Sequence, residues 1–421
     1  MLNFVTRIVF VHFAGNRNDA TMKTFLRSLF LAVALSCALA CDRQPAAPGP
    51  GMTPIPPLTL SGVAQLFSEL PLSVDQVREV RDAVASSVEH GYDEEYMMAD
   101  LFASPGTGVG ADPGGTRAPA YACPLRDLIR DRLSERVRTR AGDPSSAEAT
   151  VEAFVESLAA SGMQIYWPYS ASWDGGTLPV ITFDPESEAQ ANYGYEMVPG
   201  PDGSVTVRQT VVDEEMARNR PVWVLNANDD SGYLSLEQLR REDPAWGQGG
   251  RVIIGSSPGS RGGDDFRSLI LKDFKMKQQY DSWFRGASEF FCKCGSVQGF
   301  TATTEAELRL FQPTVTDFMV SVRRDQLGLT IPFDAIIISD WTEQLDTFAF
   351  LVVEDDGGTQ TSWKVDATVK VQSKSYGVTI SIPYNERDDI VWRGSLSSRF
   401  FEKYQGDPIH FGGVDITFEI R

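Results

Sequence analysis

The chain has 421 residues, 42% of them apolar and 23% charged, with a formal charge of −19. That length suits two or three domains, and outside the N-terminus it lacks the uncharged apolar run of about 18 residues that a membrane-spanning helix needs. After position 40 the balance is 34 basic to 56 acidic side chains; with no basic cluster interleaved with aromatics, nucleic acid is excluded as a partner, because binding it takes a cationic footprint.

The first 40 residues read as an export signal. From Met22, where translation is expected to start, Lys23 and Arg27 form a cationic lead, and Ser28 to Ala40 form an uncharged, mostly apolar stretch too short to cross a bilayer comfortably. Ala38, Leu39, Ala40 and Cys41 then resemble the signal of bacterial lipoproteins, in which small residues precede a cysteine that is lipidated before the signal is cleaved. Ala38 stands where that family most often has leucine, and Cys37 is a second, poorer candidate. The resemblance implies a mature chain that begins at Cys41 and is held to a membrane of the cell envelope by several acyl chains, firmer than the reversible hold of one. Residues 41–60 then read as the lipidated cysteine and an extended, semi-rigid tether, since DRQPAAPGPGMTPIPP after Cys41 carries six prolines and no apolar period.

The body is expected to be α+β. Residues 61–163 read as a helical region. Val74, Val77, Val80, Val84 and Val88 share one helix face, Gly91 stops the helix, and Asp93 is expected to cap the next one, with Glu94 and Glu95 in its first turn. PLRDLIRDRLSERVRTRAG and PSSAEATVEAFVESLAASG continue the pattern. Residues 164–250 form a mixed segment: a short strand ITFD, a hairpin YEMVPGPDGSVTVRQTVV around Pro-Asp-Gly, and a short helix DEEMARNR capped by Asp213 that leads into the apolar run VWVLNAN. Residues 251–265 are a Gly/Ser-rich linker. From 266 to 421 seven runs read as strands. Trp363, Val365, Ala367, Val369 and Val371 alternate with polar residues, as in a sheet with one face buried, and regular turn spacing predicts a C-terminal antiparallel β-sandwich.

The candidate chemistry is sparse. Gly255 to Gly259 satisfies G-x-S-x-G, but Pro258 follows the serine and has no N–H to offer an oxyanion, so an esterase is rejected. Oxygen-rich Asn226, Asn228, Asp230 and Glu237 make a candidate calcium site, although Ser231 takes the place where the loop wants glycine. Glu354, Asp355 and Asp356 before Gly357 and Gly358 read first as a solvated hairpin turn and second as a calcium-binding tip. The pairs Glu94/Glu95 and Glu214/Glu215 could supply glycosidase carboxylates, with helix capping as the default reading.

Cys123 could pair with Cys292 or Cys294 in an exported protein. A zinc site built from these thiols with His90 or His410 lacks any supporting spacing. Tyr166, Trp167, Tyr169 and Trp173, around Pro168, form the densest aromatic group, suited either to stacking on sugar rings and gripping a partner or to filling a core. Together these residues favour a non-catalytic, lipid-anchored binding or assembly module with a glycan or protein partner and no cofactor. An envelope hydrolase acting on glycans through paired carboxylates or a bound calcium is the alternative.

Overall fold

In the computed structural model, which describes residues 55–103, 121, 123–138, 144–187, 189–199, 205–228, 235–244 and 267–421, Pro54 to Arg421 form one compact unit. The signal, Cys41, the tether up to Pro54, Gly255 to Gly259 and the 251–265 linker lie outside the described residues. The expected helices are present. Thr59 caps α1 (Leu60–Ser68), and Ser73 with Gln76 forms a reciprocal capping box on α2 (Val74–Glu89). Gly91 ends α2 with φ of 82°, which favours glycine. Then come α3 (Met98–Phe102), α4 (Leu125–Arg138) and α5 (Pro144–Ala159). Their apolar stripes, among them Val77, Val80 and Val84 of α2 and Ile129 and Leu133 of α4, meet in one core.

That core rests on a six-stranded sheet. Its strands are β1 (Glu95–Met97), β2 (Met163–Tyr166), β3 (Val180–Phe183), β4 (Ala191–Pro199), β5 (Val205–Asp213) and β6 (Val222–Ala227), in the order β1-β2-β6-β3-β4-β5. Only β3 and β6 run parallel among these neighbours. The run Val222 to Leu225 is apolar throughout because both faces of β6 are covered: Trp223 and Leu225 enter the helical core, while Val222 and Val224 pack with Trp283 and Phe284 on the other side. Asp213 caps α6 (Glu214–Asn219), accepting from the Met216 N–H, and α7 (Leu236–Glu242) comes after β6.

The expected helix cap at Asp93 is corrected. Residues 95–97 form β1, α3 begins only at Met98, and Asp93 and Glu94 are buried and bonded to distant backbone. Local capping propensity lost to tertiary contacts.

The remaining chain forms two sheets. One has β7 (Arg267–Met276), β10 (Ile331–Trp341), β15 (Pro408–Phe411) and β16 (Val414–Ile420), in the order β10-β7-β16-β15. The other has β8 (Ser288–Ser296), β9 (Thr314–Val322), β11 (Leu345–Glu354), β12 (Gln360–Val371), β13 (Lys374–Asn385) and β14 (Asp389–Ser397), with α8 (Ser398–Tyr404) directly after β14. Leu269, Leu271 and Phe274 of the first sheet share a core with Phe290, Cys292 and Phe350 of the second. Strand β11 is the centre of the second sheet, pairing with β8 and β14 over most of its length and with β12 only near Leu345.

Freed beyond that point, the β12–β13 hairpin lays Ile380 and Ile382 over the outer face of β8 and β11, against Phe291 and Leu351. Gly295 permits the approach, since a Cβ there would sit 2.9 Å from Ile380 Cγ2 and 3.1 Å from Ile382 Cδ1. Strand β8 is therefore buried along its whole length. Cys292 and Cys294 do face one side of it, as the C-x-C spacing implies. The expected disulfide is corrected: Cys123 is exposed, the two β8 thiols are buried in the core, and all three are free. A thiol at the surface before α4 has no route to a sheet interior without unfolding it.

Candidate functional site

The aromatic group lies where β2 ends, and successive side chains part there. Tyr166 enters the cluster with Trp283, while Trp167 enters the helical core. Glu94 fixes the backbone just beyond them. Its carboxylate accepts from the Tyr169 N–H at 3.1 Å, the Ser170 N–H at 3.0 Å and the Ser170 hydroxyl at 2.9 Å. These bonds pin a turn in which Tyr169 has φ of 60°, a left-handed conformation that costs a non-glycine residue roughly 1 kcal/mol or more. Beyond this turn the Tyr169 hydroxyl donates to Glu214 at 2.7 Å.

Trp173 donates its Nε1–H to the Thr177 carbonyl at 2.9 Å and meets Trp167 edge-on, centroids 5.8 Å apart. Asp174 accepts from the Thr177 hydroxyl and from the Thr177 and Gly176 N–H groups, which holds its carboxyl down to about 2.

These residues enclose a cavity of about 90 Å³, with Trp167, Tyr169 and Trp173 on the wall and Asp174, Asn219 and Arg220 among the polar groups at the rim. Arg220 is fixed by Glu196 at 2.7 Å. Trp167 is 1% exposed and the Arg218 guanidinium lies 5.1 Å from the centroid of the Tyr169 ring, so the wall is a packed aromatic surface edged by polar groups. Tyr166, grouped with them in the sequence, does not line the cavity.

The carboxylates near this wall are already engaged. Burial pushes the Glu94 carboxyl up, and its oxygens hold the Tyr169 turn. Burial also acts on Glu214, but hydrogen bonds from Arg324 and Tyr169 outweigh it and hold the group near 2. Glu95 accepts from Asn228 at 3.1 Å, and Glu215 is exposed on α6. Asp174 is the one carboxylate among the lining residues, and it stays ionised at neutral pH, so it has no proton to give.

The described calcium candidates have separate partners. Asn226 donates its amide to the Phe284 and Arg285 carbonyls, Asn228 donates to Glu95 and Gln164, and Glu237 is paired with Arg240 at 3.7 Å. Asp230 lies outside the described residues.

A different acidic group forms at the end of β11. One carboxylate oxygen from each of Asp281, Glu354 and Asp356 lies within 4.8 Å of the others, a spacing that can share a hard cation at ~2.3–2.6 Å per bond. Arg285 stands among them, its Nη1 3.4 Å from Asp281 and from Asp356 and its Nε 3.8 Å from Asp184. The reading of Glu354 and Asp355 as a solvated turn is corrected, because they are 1% and 4% exposed. Asp281 comes from the irregular DSWFRGAS stretch, which carries no local signal. Close by, burial and the neighbouring Asp355 carboxylate push Asp388 up to about 6.

No protein-family model matches the chain, and neither does any curated protein or solved structure. Its function has to be read from the residues themselves.

Proposed function

We propose that this chain is a lipid-anchored protein of a bacterial cell envelope, tethered through Cys41, whose body is a non-catalytic binding module with a C-terminal β-sandwich and a glycan-type ligand. The observation that carries the binding reading is the cavity at Trp167, Tyr169 and Trp173, where the aromatic wall is held rigid and the adjacent acids are spent on holding it. The two C-terminal sheets that share the Phe274, Phe290 and Phe350 core support the sandwich reading.

Titration of the full-length chain with a panel of neutral oligosaccharides and glycan-strand fragments tests the ligand class. Trp173→Ala is expected to weaken the best binder at least about tenfold, as loss of a central aromatic anchor does, with the fold retained. Absence of binding across the panel, or equal binding by the variant, would sink the glycan reading. For the anchor, Cys41→Ala is expected to leave an unprocessed or released chain, detected by labelling intact cells and by fractionation. Normal processing and membrane retention of that variant would rule the lipoprotein reading out.

The second reading, a glycan hydrolase assisted by calcium, is favoured by the Asp281, Glu354 and Asp356 grouping. It predicts that calcium raises the thermal midpoint of the chelator-treated protein and that Asp281→Asn abolishes the shift. An unchanged midpoint removes it.

A further inference from the structure

We infer that β5 is a self-association edge, pairing antiparallel with the β5 of a second copy about a two-fold axis at Gln209. In the order β1-β2-β6-β3-β4-β5 the two ends of the sheet differ. Strand β1 is three residues long, whereas β5 runs for nine and has only β4 as a ladder partner among the described residues. A strand with one neighbour leaves alternate N–H and C=O groups pointing outward, and what satisfies them besides water is another strand. Among the described residues no strand covers this edge, and from Val205 to Val212 it carries no proline, no lysine and no register shift against β4. Its one charge, Arg208, is already paired with Glu196. On a chain of net charge −19, which repels its own kind, this is a locally neutral stretch.

The side chains supply the register. Val207 and Val211 are 44% and 66% exposed. They stand opposite Met197 and Tyr193 of β4, which pack into the helical core, so the helical cover stops one strand short of them. Because outward hydrogen-bonding positions alternate along a strand, self-pairing opposes residues of like parity only. Among those registers, centring on Gln209 sets Val207 against Val211 of the second copy twice over, Thr206 against Val212, and Gln209 against itself. No like charges are directly opposed, and β-branched pairs of this kind each contribute ~0.2–1 kcal/mol.

The contact is a ridge roughly 30 Å long and one strand wide, well under the ~800 Å² per partner of a standard stable interface, so the dimer is transient. Covalent capture is the suitable readout. In a full-length background with Cys37, Cys41 and Cys123 replaced by serine, Gln209→Cys is expected to form an intermolecular disulfide on mild oxidation. Thr206→Cys, whose own copy lies far along the ridge, is expected not to. Added salt should raise the yield by screening the overall repulsion, and Val211→Lys on Gln209→Cys should cut it about tenfold. Circular dichroism and thermal midpoints of these surface variants, expected unchanged, show that the fold is intact. Equal capture at positions 206 and 209, no capture at 209, indifference to Val211→Lys, or capture of a different protein at 209 would each overturn the proposal.

Discussion

Replacing Asp93 by asparagine is expected to stabilise the protein at pH 8 by about 2 to 4 kcal/mol. The carboxyl is buried, and its Oδ2 accepts from the Ala287 N–H at 2.8 Å while Oδ1 has no donor. Burial first, and the Glu94 carboxylate second, push it up to about 7 from 3.8. Proton counting gives the sign. Between pH 4 and 7 the folded state holds a proton that the unfolded state has released, so stability falls as pH rises through that window and then levels off. Each unit of raised pKa corresponds to ~1.4 kcal/mol, which puts the full penalty of the ionised group near 4 kcal/mol; the amide's need for an acceptor takes back part of the gain. Asparagine keeps the acceptor for Ala287 without the charge. Urea midpoints at pH 5 and pH 8 measure the effect: the wild-type difference should shrink in the variant, and two parallel profiles would refute the assignment. Gly286 makes the contact sterically specific, since a Cβ there would lie 2.4 Å from Asp93 Oδ2 on a backbone with φ of 126°.

That same residue marks where local reading of the sequence ends. Asp-Glu-Glu ahead of an apolar run is a sound helix-start signal, and at Asp213 the identical logic is correct, because the Asp213 carboxylate has nothing better to do than accept from Met216. Asp93 and Glu94 differ only in their partners, Ala287 and the Tyr169–Ser170 turn, which no window of ten residues contains. Strand β8 was obscure for a related reason. Alternation reveals a strand with one wet face, as in β12, but β8 is covered by the opposing sheet and by Ile380 and Ile382, and even Lys293 is buried, paired with Asp317 at 2.7 Å. The aromatic group was visible as composition. That Tyr166 and Trp167 would part to opposite faces became legible only once β2 had an end and both its faces had neighbours. Asp281 carried no signal, since its meaning depends on β11 arriving beside an irregular loop.

Arg324→Ala should cost about 1 to 3 kcal/mol and also loosen the aromatic cavity. Arg324 sits in the connection between β9 and β10 with its side chain 6% exposed. Its Nε donates to Glu214 Oε1 at 2.9 Å, and its Nη1 donates to the Asp281 carbonyl at 3.3 Å. Removing it leaves a half-buried carboxylate with only Arg218, at 2.9 Å, as its cation and a buried carbonyl without its donor, an asymmetric loss that costs more than the pair itself contributes. Lysine is not a substitute, for it lacks the planar fork that reaches both acceptors. Two readouts separate this from a generic core defect.

The first is pH. Glu214, held near 2 in the folded state against an ordinary 4.5, contributes stability that is present above pH 4.5 and is lost as pH falls toward 2; in Arg324→Ala that acid limb should flatten. The second is a double-mutant cycle with Glu214→Gln, in which the double variant should be more stable than the summed single losses predict, because the carboxylate that lost Arg324 is gone. Since Glu214 also receives the Tyr169 hydroxyl, Arg324→Ala should weaken ligand binding in parallel with Tyr169→Phe. Strict additivity in the cycle, together with unchanged binding, would show that the arginine supports neither the fold nor the wall of the cavity.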